Sequence, residues 1–558
     1  MSKPELRSSP SIAEMIAQAG PILDETEAVI EQSLQTVRNN CYRDGKLDAA
    51  QFDRFQQPCY AIAVAKAELE AARAVLSHGE ASEDDPRQLL KLSALYFCAD
   101  VVKSILSTFA SGGSALGVFR PHVTAILARE DTCCWLDSVE SICGQLAAVC
   151  METDTIQLPA GLSEEKELVR NTFRRFSDEV VAPLAEEIHR EDKDIPDAIL
   201  KPAAELGCFG TCIPERFGGL QPDDKPDSLG MIIVTEELSR GSLGAAGSLI
   251  TRPEIAARAL LAGGTEAQQQ RWLPQLASGE KLCAISITEP DTGSDVASVS
   301  LKATATEGGW LLNGSKTWCT FAGRSELVVV LARSNDSKGH KGLSLFVIEK
   351  PAYAGHEFRH QQETGGSLSG RAIPTLGYRG MHSFDLFFED YFVADENLIG
   401  EDGGEGKGFY YTMAGFAGGR LQTAARATGV MQAAVEQAIR YACDRNIFQK
   451  PLAEFALTQH KLSRMLATVT AARQFSYAVA AKMDQGKGQM EASLVKLFSC
   501  RAAEWITREA MQLHGGMGYA EESPVSRYFA DARVLSIFEG AEEVLAIRVV
   551  ARELMELA

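Results

Sequence analysis

Two stretches of the chain carry side chains that could hold a flat, polar ligand. The run Ile285-Ser286-Ile287-Thr288-Glu289-Pro290-Asp291-Thr292-Gly293-Ser294 leaves an apolar segment and enters a turn rich in hydroxyls and glycine. Such a turn presents backbone N–H groups and hydroxyls to an anionic or carbonyl-rich ligand. Further on, Trp318 and Thr320 stand two apart within LNGSKTWCTFA, so on a strand both point to one face. An aromatic wall beside a hydroxyl suits a flat heteroaromatic cofactor, although a tryptophan buried in a barrel core would look the same in sequence. A third pattern points elsewhere. His356-Glu357-Phe358-Arg359-His360 fits H-E-x-x-H, whose zinc chemistry requires both histidines on one helix face with the glutamate as base. Here a strand-like run and PAYAG precede it and a glycine-rich stretch follows, which places it in a loop among strands, and no metal site is expected from it. No G-x-G-x-x-G follows a strand, and neither a P-loop nor a G-x-S-x-G elbow occurs. Rossmann nucleotide binding, P-loop chemistry and a typical hydrolase nucleophile therefore lack support.

The elements that must position these residues follow from texture. Residues 1–158 read as helices, with apolar positions such as Ile22, Ala28, Leu34 and Val37 at helical spacing, and Gly20, Gly45, Gly79 and the run GEASEDDP as breaks. A linker, ETDTIQLPAGLSEE, leads to a second helical stretch, 159–282, with Ser163 suited to cap its first helix. Between 283 and 402 the runs become short, β-branched and alternating, separated by Gly, Asn and Asp, which predicts a β-barrel or sandwich. Helices return over 403–558, at about 417–443, 459–483 and 490–513. No strand–helix alternation occurs, which excludes a doubly wound sheet. The expected class is mainly α with a central β-domain. The N-terminal block also carries echoes of the C-terminal one. Ala71-Ala72-Arg73 recurs as Ala471-Ala472-Arg473, and Gly112-Gly113 falls where Gly515-Gly516 would, as in a degenerate internal copy.

Composition narrows the classes. The 558 residues hold 55 Lys+Arg against 75 Asp+Glu, a net charge of −20, so no basic excess exists to displace phosphate counterions or to grip an acidic membrane surface. No uncharged apolar run approaches the length of a membrane span, and the N-terminus lacks an apolar leader core. Thirteen cysteines without repeated spacing read as free thiols in a reducing compartment. A cytoplasmic protein that binds neither nucleic acid nor membrane is expected.

Taken with GYRGMHSFDLFFEDYFVADENLIG, GKGFYYTMAGFAGGR, DRNIFQKPL, QLHGGMGYAEESPVSRYFADARV and IFEGAEEVLAIRVVAREL, the segments above occur in an order and spacing that resembles the acyl-CoA dehydrogenase family over about residues 163–558. The resemblance implies a helical domain, a β-domain and a four-helix bundle, with FAD between the last two. It makes Glu539, in IFEG, the catalytic base. Abstracting the α-proton of a thioester is beyond a solvated carboxylate, so the base has to lose water, and the thioester oxygen needs donors, in the family the N–H of the base residue and a flavin ribityl hydroxyl. The β-hydrogen then leaves as hydride to flavin N5. Ile285, Ile287, Thr288 and Ser294 line the flavin, Ser294 also facing the acyl-CoA. Trp318, Cys319 and Thr320 flank the ring, and Arg420 and Gly540 lie by the thioester. Arg445, Phe448, Gln512, Gly515 and Gly516 hold the diphosphate and adenosine, of a neighbouring subunit's FAD. Some members carry the base directly before the Arg of the G-R pair; here that position is Gly419, which leaves Glu539.

Departures from the family pattern stand at Ala394, Ala417, Ala541 and Glu542. The N-terminal extension and the FAGGR and IFEGAEE segments together resemble most the branch that oxidises (2S)-methylsuccinyl-CoA to mesaconyl-CoA in the ethylmalonyl-CoA pathway, with an electron-transfer flavoprotein as acceptor. Dehydrogenation of another short or branched acyl-CoA, or an O2-using acyl-CoA oxidase, is the alternative. If the extension mimics the bundle, it would cover the surface through which family members pair as tetramers, and a homodimer is expected.

Overall fold

The computed structural model describes residues 10–81, 88–152 and 160–558. The N-terminal block opens on the helix Ile12–Cys41, which Ser11 caps with its hydroxyl on the Glu14 N–H while Glu14 returns a carboxylate to the Ser11 N–H. Ile22, Leu34 and Val37 turn inward as expected, but Ala28 is exposed and Val29 takes the buried place. Gly20 does not break this helix. The buried stripe Met15, Ile16, Ala19 resumes in register at Ile22 and Leu23, and burial of that face carries the helix across Gly20-Pro21. Gly79 likewise lies inside a helix, Gln56–Ala81, where its missing Cβ admits Ala94 of the helix Leu89–Gly112. Gly45 does make a break, in a hairpin of Tyr42–Arg43 with Lys46–Leu47. Most of GEASEDDP and half of the expected linker lie outside the described residues.

A second helical group runs from Glu164 to Ser278, its first helix capped by Ser163. Strands then occupy Cys283 to Ala394 in one eight-stranded sheet. Its order is Cys283–Ser286, Leu327–Arg333, Lys302–Thr306, Gly309–Thr320, Ser383–Ala394, Ser367–Ala372, Glu357–Gln361, and Leu343–Glu349 pairs as a further neighbour of Leu327–Arg333. The run LVVVLA is apolar throughout because both its faces are covered. Leu327, Val329 and Leu331 pack on Leu260, Trp272 and Leu273 of the helical group, while Val328, Val330 and Ala332 join Phe346, Phe384 and Leu386 in the interior of the β-domain.

The C-terminal bundle consists of the helices Gly408–Asp444, Ala456–Met483, Gln489–Leu513 and Pro524–Leu535, followed by a last helical segment that starts at Glu542. The long helix begins nine residues before the position read from sequence, because MAGFAGGR looks like a breaker. Its glycines instead admit neighbours: a Cβ on Gly415 would stand 2.8 Å from Ile255 Cγ2, and one on Gly418 only 1.9 Å from Glu254 Oε1. Elements of the first block recur here in order. Helix, two-residue hairpin and two more helices repeat about 400 residues later. Both hairpins turn on two left-handed residues, Asp44 and Gly45 in one, Phe448 and Gln449 in the other. Gly113 (φ 52°, ψ −129°) and Gly515 (φ 57°, ψ −133°) end equivalent helices in the same rare conformation. Among the described residues, no helix is long and apolar enough to cross a membrane.

Candidate active site

Glu539 sits in the turn between the helix Pro524–Leu535 and the segment starting at Glu542. Its backbone is left-handed (φ 53°), as is that of Gly540 (φ 100°); a non-glycine residue held there costs on the order of 1–3 kcal/mol, and such strain gathers at functional sites. Only glycine adopts the second of these angles readily. The turn is over-determined from several sides. Lys496 Nζ donates to the Gly540 carbonyl at 2.6 Å, the Glu542 N–H closes on the Ser536 carbonyl at 3.0 Å, and Phe538 is clamped between the Arg426 guanidinium, 4.6 Å from its ring centre, and the edge of Tyr378. Glu539 is half-buried. Among the described residues nothing accepts its N–H, which leaves a backbone donor beside the carboxylate.

That carboxylate lies against the long helix at Gly419, where an added Cβ would stand 3.1 Å from Oε2. The two positions that the resemblance offers for a base thus converge on one point in space. Behind Gly418, Glu254 is buried and paired with Arg258 at 2.7 Å. Burial pushes the Glu254 carboxyl up, and the Glu539 charge adds to the push. Arg420, Arg426 and Lys496 all feel the field of Glu539. Among the described residues none of the three is ion-paired: Arg420 bonds the Ser493 hydroxyl, Arg426 the Ser248 and Thr423 hydroxyls, and Lys496 a carbonyl. Sequence reading finds Arg420 but not Arg426, Lys496, Glu254 or Arg258. These lie inside ordinary helices, and only the glycines at 418 and 419 hint that something approaches there.

The residues expected to line a flavin lie on other elements, in the β-domain. Glu289 and Lys316 make a fully internal ion pair at 2.9 Å, and Glu289 also accepts the N–H groups of Ser300 and Leu301 while Lys316 holds the Ile287 carbonyl at 2.8 Å. Burial pushes the Glu289 carboxyl up, but the Lys316 ammonium and those N–H groups outweigh it and hold it below the usual carboxylate range. This pair, invisible as a motif, fixes the turn that leaves Thr288 half-exposed and Ser294 exposed. Trp318 is 55% exposed with φ 56°, so it is no core residue. The register against Ser383–Ala394 slips between Lys316 and Cys319, a bulge of the kind that re-aims a side chain, and the buried Cys319 then stands between the exposed Trp318 and the half-buried Thr320. Thr320 shares a hydrogen bond with the Ser383 hydroxyl at 2.9 Å. Cys319 turns inward, its thiol on the Ile285 carbonyl, and Ile287 is buried as well, so the side chains of these two predicted residues are not available to a ligand.

The segment Tyr378–Ser383 ties the two halves together. Tyr378 packs on Phe538 and takes a bond from Arg252, while the Met381 and His382 carbonyls both receive the Phe321 N–H just past Thr320. The residues proposed for the distal part of the cofactor lie elsewhere. Arg445 caps the long helix, 26 residues and about 39 Å of helix from Gly419. Tyr441 stacks on His514 there, which brings Gln512, Gly515 and Gly516 to the same end. Phe448 (89% exposed), Met517 and Tyr519 are uncovered around them. The two sets of residues expected to hold FAD thus lie far apart on this chain, as the expectation of a neighbouring subunit's FAD requires. The H-E-x-x-H segment is not helical: Glu357–Gln361 is a strand, and His360 sits against Tyr353 and Tyr391.

Residues 163–280, 284–391 and 406–555 match the N-terminal, middle and C-terminal domains of acyl-CoA dehydrogenase. The (2S)-methylsuccinyl-CoA dehydrogenase of Cereibacter sphaeroides is 36% identical over 99% of this chain and 100% of its own length. Among solved structures, butyryl-CoA dehydrogenase from Megasphaera elsdenii is 31% identical with a TM-score of 0.65, covering 72% of this chain and 100% of its own. A glutaryl-CoA dehydrogenase in complex with glutaryl-CoA is 30% identical with a TM-score of 0.64, covering 71% of this chain and 96% of its own.

Proposed function

Because the chain belongs to the acyl-CoA dehydrogenase family and is an FAD-dependent acyl-CoA dehydrogenase, we propose that its substrate is a short branched acyl-CoA ending in a second carboxylate, (2S)-methylsuccinyl-CoA, converted to mesaconyl-CoA. The observation that carries this reading is the charge around the base. Arg420, Arg426 and Lys496 all feel Glu539, with Glu553 acting on Arg420 and Glu542 on Lys496 as well, but among the described residues none of the three forms an ion pair, while Glu254 is paired with Arg258. Buried cations without anionic partners are costly, and an acyl group with its own carboxylate would complete them. Full-length similarity to a methylsuccinyl-CoA dehydrogenase, extension included, agrees with this.

The exposed plane of Trp318, the Thr320 and Ser383 hydroxyls and the Ile285–Ser294 turn fit a flavin. FAD bound there supplies the acceptor for the β-hydride, which an electron-transfer flavoprotein would then relieve of its electrons. Glu539 takes the α-proton onto its carboxylate, its own free N–H donates to the thioester oxygen, and Lys496 fixes the turn that orients both. With methylsuccinyl-, isobutyryl- and butyryl-CoA compared under one acceptor, kcat/KM is expected to be highest for methylsuccinyl-CoA. Arg420→Met should lower that value by ~10–100-fold, the loss of one charge-assisted hydrogen bond, and affect butyryl-CoA far less. Equal turnover of the three substrates would overturn the substrate assignment.

For residues 1–158 we propose the role of a built-in copy of the bundle. The helix Gln56–Ala81 packs on both Ala456–Met483 and Gln489–Leu513, and Ala456–Met483 in turn touches Leu89–Gly112. If Gln56–Ala81 corresponds to Ala456–Met483 and Leu89–Gly112 to Gln489–Leu513, this contact set maps onto itself, as an isologous interface does. Phe97 and Phe498, at equivalent places, meet edge to face at 5.5 Å. The departure at Glu542 finds its partner here: its carboxylate accepts from Tyr60 of the extension and from Arg501. Such a block occupies the face through which a second pair of subunits would dock, while the exposed Phe448, Met517 and Tyr519 remain for one partner. Sizing in solution is expected to return a dimer; a stable tetramer would sink the idea.

A further inference from the structure

The loop after the helix Ala182–Arg190 and two segments of the β-domain converge on a cluster that the dehydrogenase chemistry does not use. His382 Nε2 lies 3.2 Å from His356 Nε2 and 3.2 Å from Asp192 Oδ1, and His356 Nε2 lies 3.5 Å from Asp192 Oδ2. Among the described residues this is the one group of His, Cys, Asp and Glu atoms drawn together closely enough to hold a metal ion. Zinc bonds of 2.0–2.1 Å in tetrahedral array separate adjacent ligand atoms by about 3.3 Å, and these three atoms already stand near that spacing. The outer contacts are of the supporting kind. His382 Nδ1 is 3.0 Å from Asp194 Oδ1, and Asp194 is itself fixed by the Gly355 N–H at 2.6 Å. A neutral His382 that donates from Nδ1 to Asp194 must aim a lone pair from Nε2 at both the Asp192 carboxylate and His356. His356 Nε2 also lies 3.1 Å from the Asp192 carbonyl, so ring protons or a metal ion can hold these three groups together, and the ligand spacing suits the ion. The nearest fixed charge, Arg379 Nε at 3.6 Å from Asp192 Oδ1, approaches from the side and is occupied by the carbonyls of Thr375 and His189.

We propose that Asp192, His356 and His382 form a structural binding site for a divalent transition-metal ion of the zinc class, with Asp194 as the carboxylate that orients His382. His382 is buried, whereas the His356 side chain is half-exposed, so the ion enters from the His356 side and water completes its coordination. The site staples the helical group to the β-domain. Its reach into the active site is short, because the His382 carbonyl accepts the Phe321 N–H at 2.8 Å and the next residue, Ser383, holds Thr320. Half of the discounted H-E-x-x-H signal, His356, thus has a use, with partners 26 and 164 residues away.

The test is metal binding by the full-length, flavin-loaded protein after dialysis against a chelator. Wild type should take up one zinc ion per chain in competition with a chromophoric chelator, and Co2+ in its place should give the intense visible bands of a tetrahedral site, at wavelengths beyond the flavin. His356→Asn, at an exposed position, should abolish both. Asp194→Asn should weaken zinc by ~10–100-fold, the usual effect of removing an outer-shell partner, and His340→Asn, outside the cluster, should change nothing. Zinc should also raise the unfolding temperature of wild type and leave that of His356→Asn unmoved. Equal zinc affinity in wild type and His356→Asn would overturn the proposal, since the ion would then sit elsewhere, as would the absence of uptake by wild type, since a proton would then hold the cluster together.

Discussion

Replacing Glu539 with Gln is expected to leave a yellow, folded enzyme that has lost turnover by at least about 10²–10⁴-fold, the range spanned by removal of a general base. The amide keeps the side chain's volume and the left-handed turn, and the residues proposed to face the flavin, Thr288, Trp318 and Thr320, belong to other elements, so the visible spectrum should be retained. A stronger version uses Gly419. Because a Cβ there would stand 3.1 Å from the Glu539 carboxylate, a glutamate on the helix can place its oxygens in the same neighbourhood. The double variant Glu539→Gly with Gly419→Glu is expected to recover part of the loss, whereas Gly419→Glu alone crowds two carboxylates together and should be impaired. Full activity in Glu539→Gln, or flavin loss with no other defect, would each remove Glu539 from the role of base.

What the sequence discloses and what it hides divide along a physical line. Strands with one-sided or doubly buried patterns, long amphipathic helices and short motifs are local, so the helix–strand–helix order and the Trp318-x-Thr320 pattern are legible in the chain itself, whereas Glu539 and Arg420 stand out only through the resemblance to the family. Glycine is ambiguous because it serves two ends. At Gly45 it turns the chain, but at Gly20 the helix passes through unbroken, and at Gly79, Gly415 and Gly418 it admits a neighbour within an unbroken helix. The bulge at Trp318 is hidden because register against a partner strand is not a property of one strand. Long-range pairs are hidden most completely. Nothing local announces that Glu289 meets Lys316, that Glu542 meets Tyr60, or that His356 meets His382. The internal copy lies between these extremes: a few residues echo across about 400 positions, the hairpins repeat in the backbone with different residues at the turn, and the matching conformations pair Gly113 with Gly515, one place off the pairing read from the glycine doublets.

Lys316→Met should destabilise the protein by about 3–5 kcal/mol, the loss that follows when one member of a buried ion pair is removed and the other is stranded. Lys316 is wholly inaccessible and Glu289 is 5% exposed, so water cannot take over the lysine's place, and the Ser300 and Leu301 N–H groups are left to hold the carboxylate alone. The pH dependence fixes the mechanism. In wild type the Glu289 carboxyl lies below its unfolded value, so its contribution is fully present above the ordinary carboxylate range and fades as pH falls through the lower folded value. In the variant desolvation dominates and lifts the carboxyl above its unfolded value, so protonation favours the fold. The deficit relative to wild type, measured by denaturant unfolding, should therefore be largest at neutral pH and shrink toward pH ~5. Activity should fall further than stability alone explains, because the same ammonium holds the Ile287 carbonyl and with it the turn that presents Thr288 and Ser294. The double variant Glu289→Leu with Lys316→Met removes both charges; it should regain most of the stability, since an apolar pair replaces a buried ionic one at little net cost, but not the lost turnover. Equal deficits at neutral and acid pH would show that lost packing, not a stranded carboxylate, is the cause.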